Sequence, residues 1–294
     1  MVNRTNIKTY SLKDRKSKVS LLNVKPIAKI QDQINSPEFN ELIKKIKESK
    51  KLGKPIIWMI GGHSIKVGLS RYIIDLIKKG FITHLASNGS ASIHDFELAL
   101  IGATSEDVLN QIKDGSFGMA EETGGWMNQA INRNAEKGYG SAIGTMIEEK
   151  NLPYKKLSLA YNCLKLKIPY TVHVAIGTDI IHQHPSCDGA RIGLATFNDF
   201  MKFTDTVCNL DKGVVLNIGS AVIMPEVFLK ALSISRNLGY KTHNITTANF
   251  DMLAHYRPKV NIVERPTAHG GIGFDFREKH EHSIPSLYSA LVYS

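Results

Sequence analysis

Short apolar runs alternate with helical apolar stripes along most of this chain. Pro55–Ile60 (PIIWMI) and Gly213–Ile218 (GVVLNI) are almost unbroken apolar segments, a pattern typical of strands that are buried on both faces. We predict further strands at Phe81–Ser87, Tyr170–Ile176, Lys241–Thr247 and Lys259–Val263.

Helical periodicity occupies most of the intervening segments. Ser36 and Pro37 predict a helix start, because serine caps a helix and proline suits its first position. The stripe of apolar residues on this first helix is formed by Phe39, Leu42, Ile43 and Ile46. Further helices are predicted at Ser64–Lys79, His94–Leu100, within 104–165, and at Phe197–Cys208, Pro225–Asn237 and Ser283–Val292, with a small-residue turn at Asn88–Ser92.

This alternation predicts an α/β fold with a doubly wound, mostly parallel sheet. We expect residues 1–30 to form a basic N-terminal arm and residues 31–294 a single α/β domain. Ligands of such sheets bind beyond the carboxyl ends of the strands. The loops that this rule selects are Gly61–Ser64, Asn88–Asp95, Gly177–Asp188 and Gly219–Ala221.

Charge and composition narrow the class of protein. The 294 residues carry a net charge of +10, from 37 basic against 27 acidic side chains. This excess favours either plain solubility or an acidic partner, and the lack of interleaved aromatic residues disfavours nucleic acid. No apolar run approaches a membrane span, and the polar N-terminus lacks the apolar core of a signal peptide, which predicts a cytoplasmic protein without a membrane partner.

Two of the selected loops are rich in small residues. In Gly61–Ser64 the glycines allow a close approach to a phosphate, although a tight turn capped by Ser64 explains them equally well. In the second loop Asn88 and Gly89 leave room for a nucleotide. Asp95 and Glu97 behind them suit either ribose hydroxyls or a helix dipole.

Histidines dominate the third loop. His182 and His184 form an HxH pair close to Asp179, and this pattern suits either a metal or an acid–base histidine. We assign no metal, because no third ligand is fixed by the sequence. His280 and His282 form a similar pair, which could join the first only if the fold or an oligomer brings the two together.

One long segment, GGHSIKVGLSRYIIDLIKKGFITHLASNGSASIHDFE, resembles the first dinucleotide-binding unit of the deoxyhypusine synthase family. The resemblance continues through Ile168-Pro169 to Thr178-Asp179, through GVVLNIG and HNITTANFD, and into the final SIPSLYSAL. It implies a Rossmann-like fold of the deoxyhypusine synthase type, NAD as cofactor, and a homotetramer that shares active sites between subunits. The NAD-binding residues implied by the resemblance are Gly62, His63, Ser64, Asn88, Gly89, Asp95, Asp179, Gly219, Thr246, Thr247 and Asp251.

The substrate side departs from the family pattern. The stretch that matches the family's catalytic lysine motif reads VERPTAHGG and contains no lysine, and the family's catalytic histidine is replaced within AVIMPE. His184 stands where the family has an acid that holds the polyamine. These departures suggest changed chemistry on a retained cofactor site.

The leading hypothesis is a deoxyhypusine synthase-like, NAD-dependent enzyme that first dehydrogenates a small amine or another polar substrate. Candidate general bases are His182, His184 and His269, and candidate substrate-binding residues are Asp188, Arg191 and Arg265. One alternative is a genuine deoxyhypusine synthase with an acidic protein substrate, which would use a displaced lysine, Lys259 or Lys279, as nucleophile or would react without a covalent intermediate. The others are a non-catalytic nucleotide-binding protein and a histidine-based metal hydrolase.

Overall fold

A computed structural model describes residues 3–293 of the chain. Its centre is a six-stranded parallel sheet with helices on both faces, so the predicted α/β, doubly wound fold class is confirmed. The strands are β1 (Val19–Ser20), β2 (Ile56–Ile60), β3 (His84–Asn88), β4 (Ala103–Thr104), β5 (Tyr170–His173), β6 (Val214–Ile218), β7 (Thr246–Asp251) and β8 (Ile272–Arg277).

Helices fill the connections between the strands. They are α1 (Pro37–Lys51), α2 (His63–Lys66), α3 (Ser70–Lys78), α4 (Gly89–Ile101), α5 (Val108–Gln111), α6 (Glu121–Asn134), α7 (Tyr139–Glu149), α8 (Leu159–Leu166), α9 (Ile180–Gln183), α10 (Gly189–Cys208), α11 (Ile223–Asn237), α12 (Tyr256–Pro258) and α13 (His280–Val292). Single 3-10 turns lie at Arg4–Asn6, Leu12–Asp14, Leu21–Asn23, Ala135–Lys137 and Lys155–Leu157, and α12 continues into a π-helical turn at Lys259–Glu264.

The strand order of the main sheet is β5-β3-β2-β6-β7-β8, and every neighbouring pair is parallel. Counted along the chain, this is the 3-2-1-4-5-6 order of doubly wound dinucleotide-binding folds. The order reverses between β2 and β6, so the crevice of such a fold lies beyond the carboxyl ends of these two strands. The short strands β1 and β4 pair separately and antiparallel.

Two apolar cores cover the two faces of the sheet. Trp58 of β2 packs in the larger core with Ile73 of α3, whereas Met59 packs in the smaller core with Phe228 of α11. The chain therefore leaves β2 and β6 toward opposite faces, because α3 follows β2 and α11 follows β6. This divergence opens the crevice at the switch point.

Several predicted elements are corrected by the structure. The helix predicted at Ser64–Lys79 is two helices, since Gly68 has a φ of +81° and separates α2 from α3. The small-residue turn predicted at Asn88–Ser92 is wrong, because α4 begins at Gly89. The strand predicted at Lys259–Val263 is also wrong, because this segment is helical and continues from α12.

The last two strands also differ from the prediction. The segment predicted at Lys241–Thr247 becomes a strand only at Thr246, where β7 begins, and β8 was not predicted. Helix α13 starts at His280, three residues before the predicted Ser283. This earlier start brings the first turn of α13 to the carboxyl edge of the sheet.

Candidate functional site

Two glycine backbones meet at the switch point. Gly61 follows β2 and Gly219 follows β6, and a Cβ built on Gly61 would lie 2.2 Å from the Gly219 carbonyl oxygen. Gly219 has a φ of +71°, a conformation that favours glycine. The absence of a side chain at both positions therefore lets the two backbones lie in contact at this edge.

A pair of histidines borders the Gly219 backbone. A Cβ built on Gly219 would lie 2.2 Å from His280 Nε2, and the His280 and His63 ring centroids are 5.8 Å apart. Burial lowers the pKa of His280, which favours the neutral imidazole, and the nearby His63 acts in the same direction. Within residues 3–293, the buried His280 Nδ1 has no hydrogen-bond partner. His280 is a site residue that the sequence reasoning left unassigned.

Asp251 supplies a buried acid to the same edge of the sheet. It ends β7, is 7% exposed, and accepts a hydrogen bond of 3.1 Å from the Leu253 backbone N–H. Its carboxylate lies 3.9 Å from His255 Nε2 and favours protonation of His280 by raising that pKa. The crevice thus combines glycine backbone, neutral imidazole and one carboxylate.

The predicted residues of the second loop also lie at this edge. The Asn88 side chain accepts from the Ala91 N–H at 3.1 Å and thereby caps α4. A Cβ built on Gly89 would lie 2.0 Å from Asp179 Oδ2, so the two loops are in contact. Ser64 is fully buried, and its hydroxyl has no partner among the described residues.

A cavity of about 410 Å³ lies beside the crevice. A Cβ built on Gly62 would lie 2.7 Å from Ser90 Oγ and 3.0 Å from His94 Cδ2, and both of these residues line the cavity. Its volume is within the range of small-molecule sites. The full lining is Lys18, Lys66, Ser90, Ile93, His94, Glu97, Ser105, Glu106, Val108, Phe117, Thr178, Asp179 and Ile180.

Asp179 lines this cavity, and His182 lies beside it. Burial raises the pKa of Asp179 to about 6, and its Oδ2 has no partner within residues 3–293. His182 Nδ1 accepts the backbone N–H groups of Gly177 at 3.1 Å and of Asp179 at 3.2 Å, so its proton resides on Nε2. That nitrogen lies 4.0 Å from Asp179 Oδ2, and burial lowers the pKa of His182.

The N-terminal segment contributes Lys18 to the cavity lining, and its Arg15 pairs with two glutamates of that lining. Arg15 is buried and pairs with both Glu97 oxygens, at 2.6 Å and 2.8 Å, and with Glu106 at 3.4 Å. Thr104 and Thr123 donate further hydrogen bonds to Glu97. Both glutamates of the cavity lining therefore have partners within the protein.

Two groups of predicted site residues lie elsewhere. Asp95 is buried and holds the start of α8, since it accepts from Ser158 Oγ and from the backbone N–H groups of Leu159 and Ala160 at 2.6–3.0 Å. This leaves Asp95 no route to a ribose. Residues that precede a parallel strand or begin it lie at the amino edge of the sheet, opposite the crevice. Four predicted site residues lie there: Thr246 and Thr247 begin β7, and Arg265 and His269 precede β8.

Three other predicted residues have structural partners away from the cavity lining. His184 is buried against α6, with Nδ1 at 2.7 Å from Ser186 Oγ and Nε2 at 3.3 Å from Glu121. Asp188 caps α10, and Arg191 forms a bidentate ion pair with Glu136 on the surface. The structure thus does not bring these side chains to the crevice.

The two lysines considered as alternative nucleophiles lie in different places. Lys259 begins the turn beyond α12, whereas Lys279 is exposed and directly precedes His280 at the crevice. Lys66 of α2 lines the cavity and was missed by the sequence reasoning. Its position two residues after the selected loop Gly61–Ser64 was the available signal.

Neither a metal-ligand cluster nor a membrane-spanning helix is found within residues 3–293. No group of three or more histidine, cysteine, aspartate or glutamate side chains there could hold a metal ion. No helix in that range combines the length and apolarity needed to cross a bilayer.

Solved structures of other proteins share the fold of this chain at low sequence identity. No family model matches the chain, and no curated protein matches its sequence. A Methanococcus maripaludis S2 protein assigned to the LOR/SDH group superposes with a TM-score of 0.52 and 18% identity, over 91% of this chain and 73% of its own. AgrE, in ternary complex with ornithine and NAD+, superposes with a TM-score of 0.52 and 13% sequence identity, over 88% of this chain and 34% of its own.

The chain thus spans about a third of the length of AgrE. A protein from Entamoeba histolytica assigned as a deoxyhypusine synthase gives a TM-score of 0.47 and 11% sequence identity, over 85% of both chains. At these identities the similarities establish a shared fold alone. Membership of the deoxyhypusine synthase family stays a hypothesis from the sequence.

Proposed function

We propose that this protein is an NAD-dependent enzyme that dehydrogenates a small amine or another small polar substrate. The observation that carries the proposal is the switch-point crevice, where the bare backbones of Gly61 and Gly219 lie in contact at the carboxyl ends of β2 and β6. Dinucleotides bind at this point in sheets of this strand order. The similar fold of AgrE, which binds NAD+ and ornithine, supports the same assignment.

The residues at the crevice fit a dinucleotide. Gly61, Gly62 and Gly219 carry no side chains at the point where a pyrophosphate would approach the backbone. Asp251 is the acid available for ribose hydroxyls. The GxGxxG pattern is missing, so the cofactor would be held by a variant of the usual fingerprint.

NAD+ supplies a hydride acceptor when it is bound. The protein's own groups must place the substrate and hold its proton. An ammonium group has to lose a proton before its carbon can give up a hydride, and Asp179 is the acid of the cavity lining that has no cation paired with it. His182 Nε2–H can donate a hydrogen bond beside it, since its tautomer is fixed by the two backbone N–H groups at Nδ1.

The test has a binding part and a chemical part. Calorimetric titration with NAD+ should give one site per chain, and Asp251→Asn should weaken it about tenfold, the loss expected for one charge-assisted hydrogen bond. The exposed Asp205→Asn makes the same charge change as a control. With NAD+ present, amines and amino acids should produce NADH absorbance. A protein that binds no NAD+ would disprove the proposal.

A further inference from the structure

Most charged groups lining the cavity beside the crevice are already paired. Glu97 and Glu106 both face Arg15, and Glu106 also accepts from the Gly118 backbone N–H at 2.9 Å. Lys18 lies 3.0 Å from the Asp107 carboxylate. Each of these charged groups thus has a partner of opposite charge within the protein, and Glu97 and Glu106 share the single Arg15 guanidinium.

Two opposite charges in the lining are not balanced in this way. Within residues 3–293, the structure describes no ion pair or hydrogen bond for the ammonium group of the half-buried Lys66. The Asp179 side chain is 8% exposed, and its Oδ2 has no hydrogen-bond partner in the same range. His182 Nε2 lies 4.0 Å from this oxygen, and burial lowers the pKa of His182, which favours the neutral imidazole. A buried carboxylate without a partner costs stability, which suggests that its partner is a ligand.

The combination selects the charge pattern of that ligand. A dianion would meet Asp179 with like charge, and a dication would meet Lys66 in the same unfavourable way. A molecule with one ammonium and one anionic group satisfies both residues. We propose that the cavity binds a compact zwitterion, whose anionic group is held by Lys66 and whose ammonium group is held by Asp179.

The remaining lining suits such a molecule. His94 is neutral near pH 7, because burial lowers its pKa to about 4, and it can form a hydrogen bond without adding charge. Hydroxyl groups and short apolar walls suit the polar ends and the carbon chain of the ligand, and they are provided by Ser90, Ile93, Ser105, Val108, Phe117 and Thr178. The inference rests on the proposed function, in which this zwitterion is the substrate.

Three probes of equal chain length separate the charge patterns. Calorimetric titrations of the full chain would use γ-aminobutyrate as zwitterion, putrescine as diamine and succinate as dicarboxylate. We expect γ-aminobutyrate to bind at least about tenfold more tightly than either other probe, since each loses one charge-assisted contact. Tightest binding of putrescine or succinate, equal binding of all three, or no binding would overturn the inference.

Variants identify the residues responsible. Lys66→Gln and Asp179→Asn should each weaken γ-aminobutyrate by about tenfold or more. The exposed Lys78→Gln and Asp205→Asn change net charge equally and should leave affinity unchanged. Unchanged affinity in the two cavity variants would also overturn the inference. A separate titration with NAD+ tests the proposed function. If the zwitterion binds and NAD+ does not, only the proposed function is refuted.

Discussion

Replacing Asp179 by asparagine should make the protein more stable in neutral solution. The carboxylate is buried and its Oδ2 lacks a partner among the described residues, and burial raises its pKa from 3.8 to about 6. One pKa unit corresponds to about 1.4 kcal/mol, so the ionised group destabilises the folded state by about 3 kcal/mol at most. Asparagine removes the charge and keeps the size of the side chain.

The pH dependence gives the sign of the effect. Above a pH of about 6 both the folded and the unfolded chain carry the ionised group, and only the folded chain is penalised by burial. Below the unfolded value of 3.8 both are protonated and the difference disappears. Asp179→Asn should therefore gain about 2–3 kcal/mol near pH 8 and only about 0.5 kcal/mol near pH 4.

Urea unfolding at these two pH values measures the effect. The midpoint should rise near pH 8 with an unchanged slope, because the slope reports the surface exposed on unfolding. Asp205→Asn alters the same net charge on the exposed surface and should change stability by no more than about 0.5 kcal/mol. A loss of stability in Asp179→Asn near pH 8, or a gain independent of pH, would refute the reasoning.

Three further predictions concern the same region. Arg15→Met should cost about 3–5 kcal/mol in urea unfolding, because it leaves Glu97 buried without its cation, whereas Glu136→Gln at an exposed pair should cost at most about 1 kcal/mol. Gly219→Ala should lower both Tm and NAD+ affinity, since its φ is +71° and the added Cβ meets an imidazole. Affinity for γ-aminobutyrate should fall as pH drops below about 6, where Asp179 is protonated, and a flat calorimetric pH profile would contradict this.

The fold was predictable where burial leaves an apolar record in the sequence. The runs at β2 and β6 are buried at every position, so the prediction of strands there is confirmed. Strand β7 reads TTANFD and was placed too early, although it too is fully buried. Its polar side chains are satisfied inside the sheet: Thr247 donates to the Ile262 carbonyl, and Asn249 bonds both Asn217 and Asp275. Partners so distant in sequence leave no local pattern.

The site was predictable as loops and less so as residues. The rule that ligands bind at the carboxyl edge selected Gly62, Gly219 and Asp179, which do lie there. Local spacing could not reveal that His280 packs against Gly219, because α13 and β6 are far apart in the chain. Strand β8 did carry a signal, since Phe274 and Phe276 alternate with polar neighbours, as expected of a half-buried strand.

A crystal structure of the full chain grown with NAD+ tests the central claim most directly. The account predicts the pyrophosphate against the backbones of Gly61, Gly62 and Gly219, with a ribose within hydrogen-bond distance of Asp251. The nicotinamide should face the cavity that contains Asp179. Density for NAD+ at the amino edge of the sheet, or an empty crevice at saturating NAD+, would contradict the account.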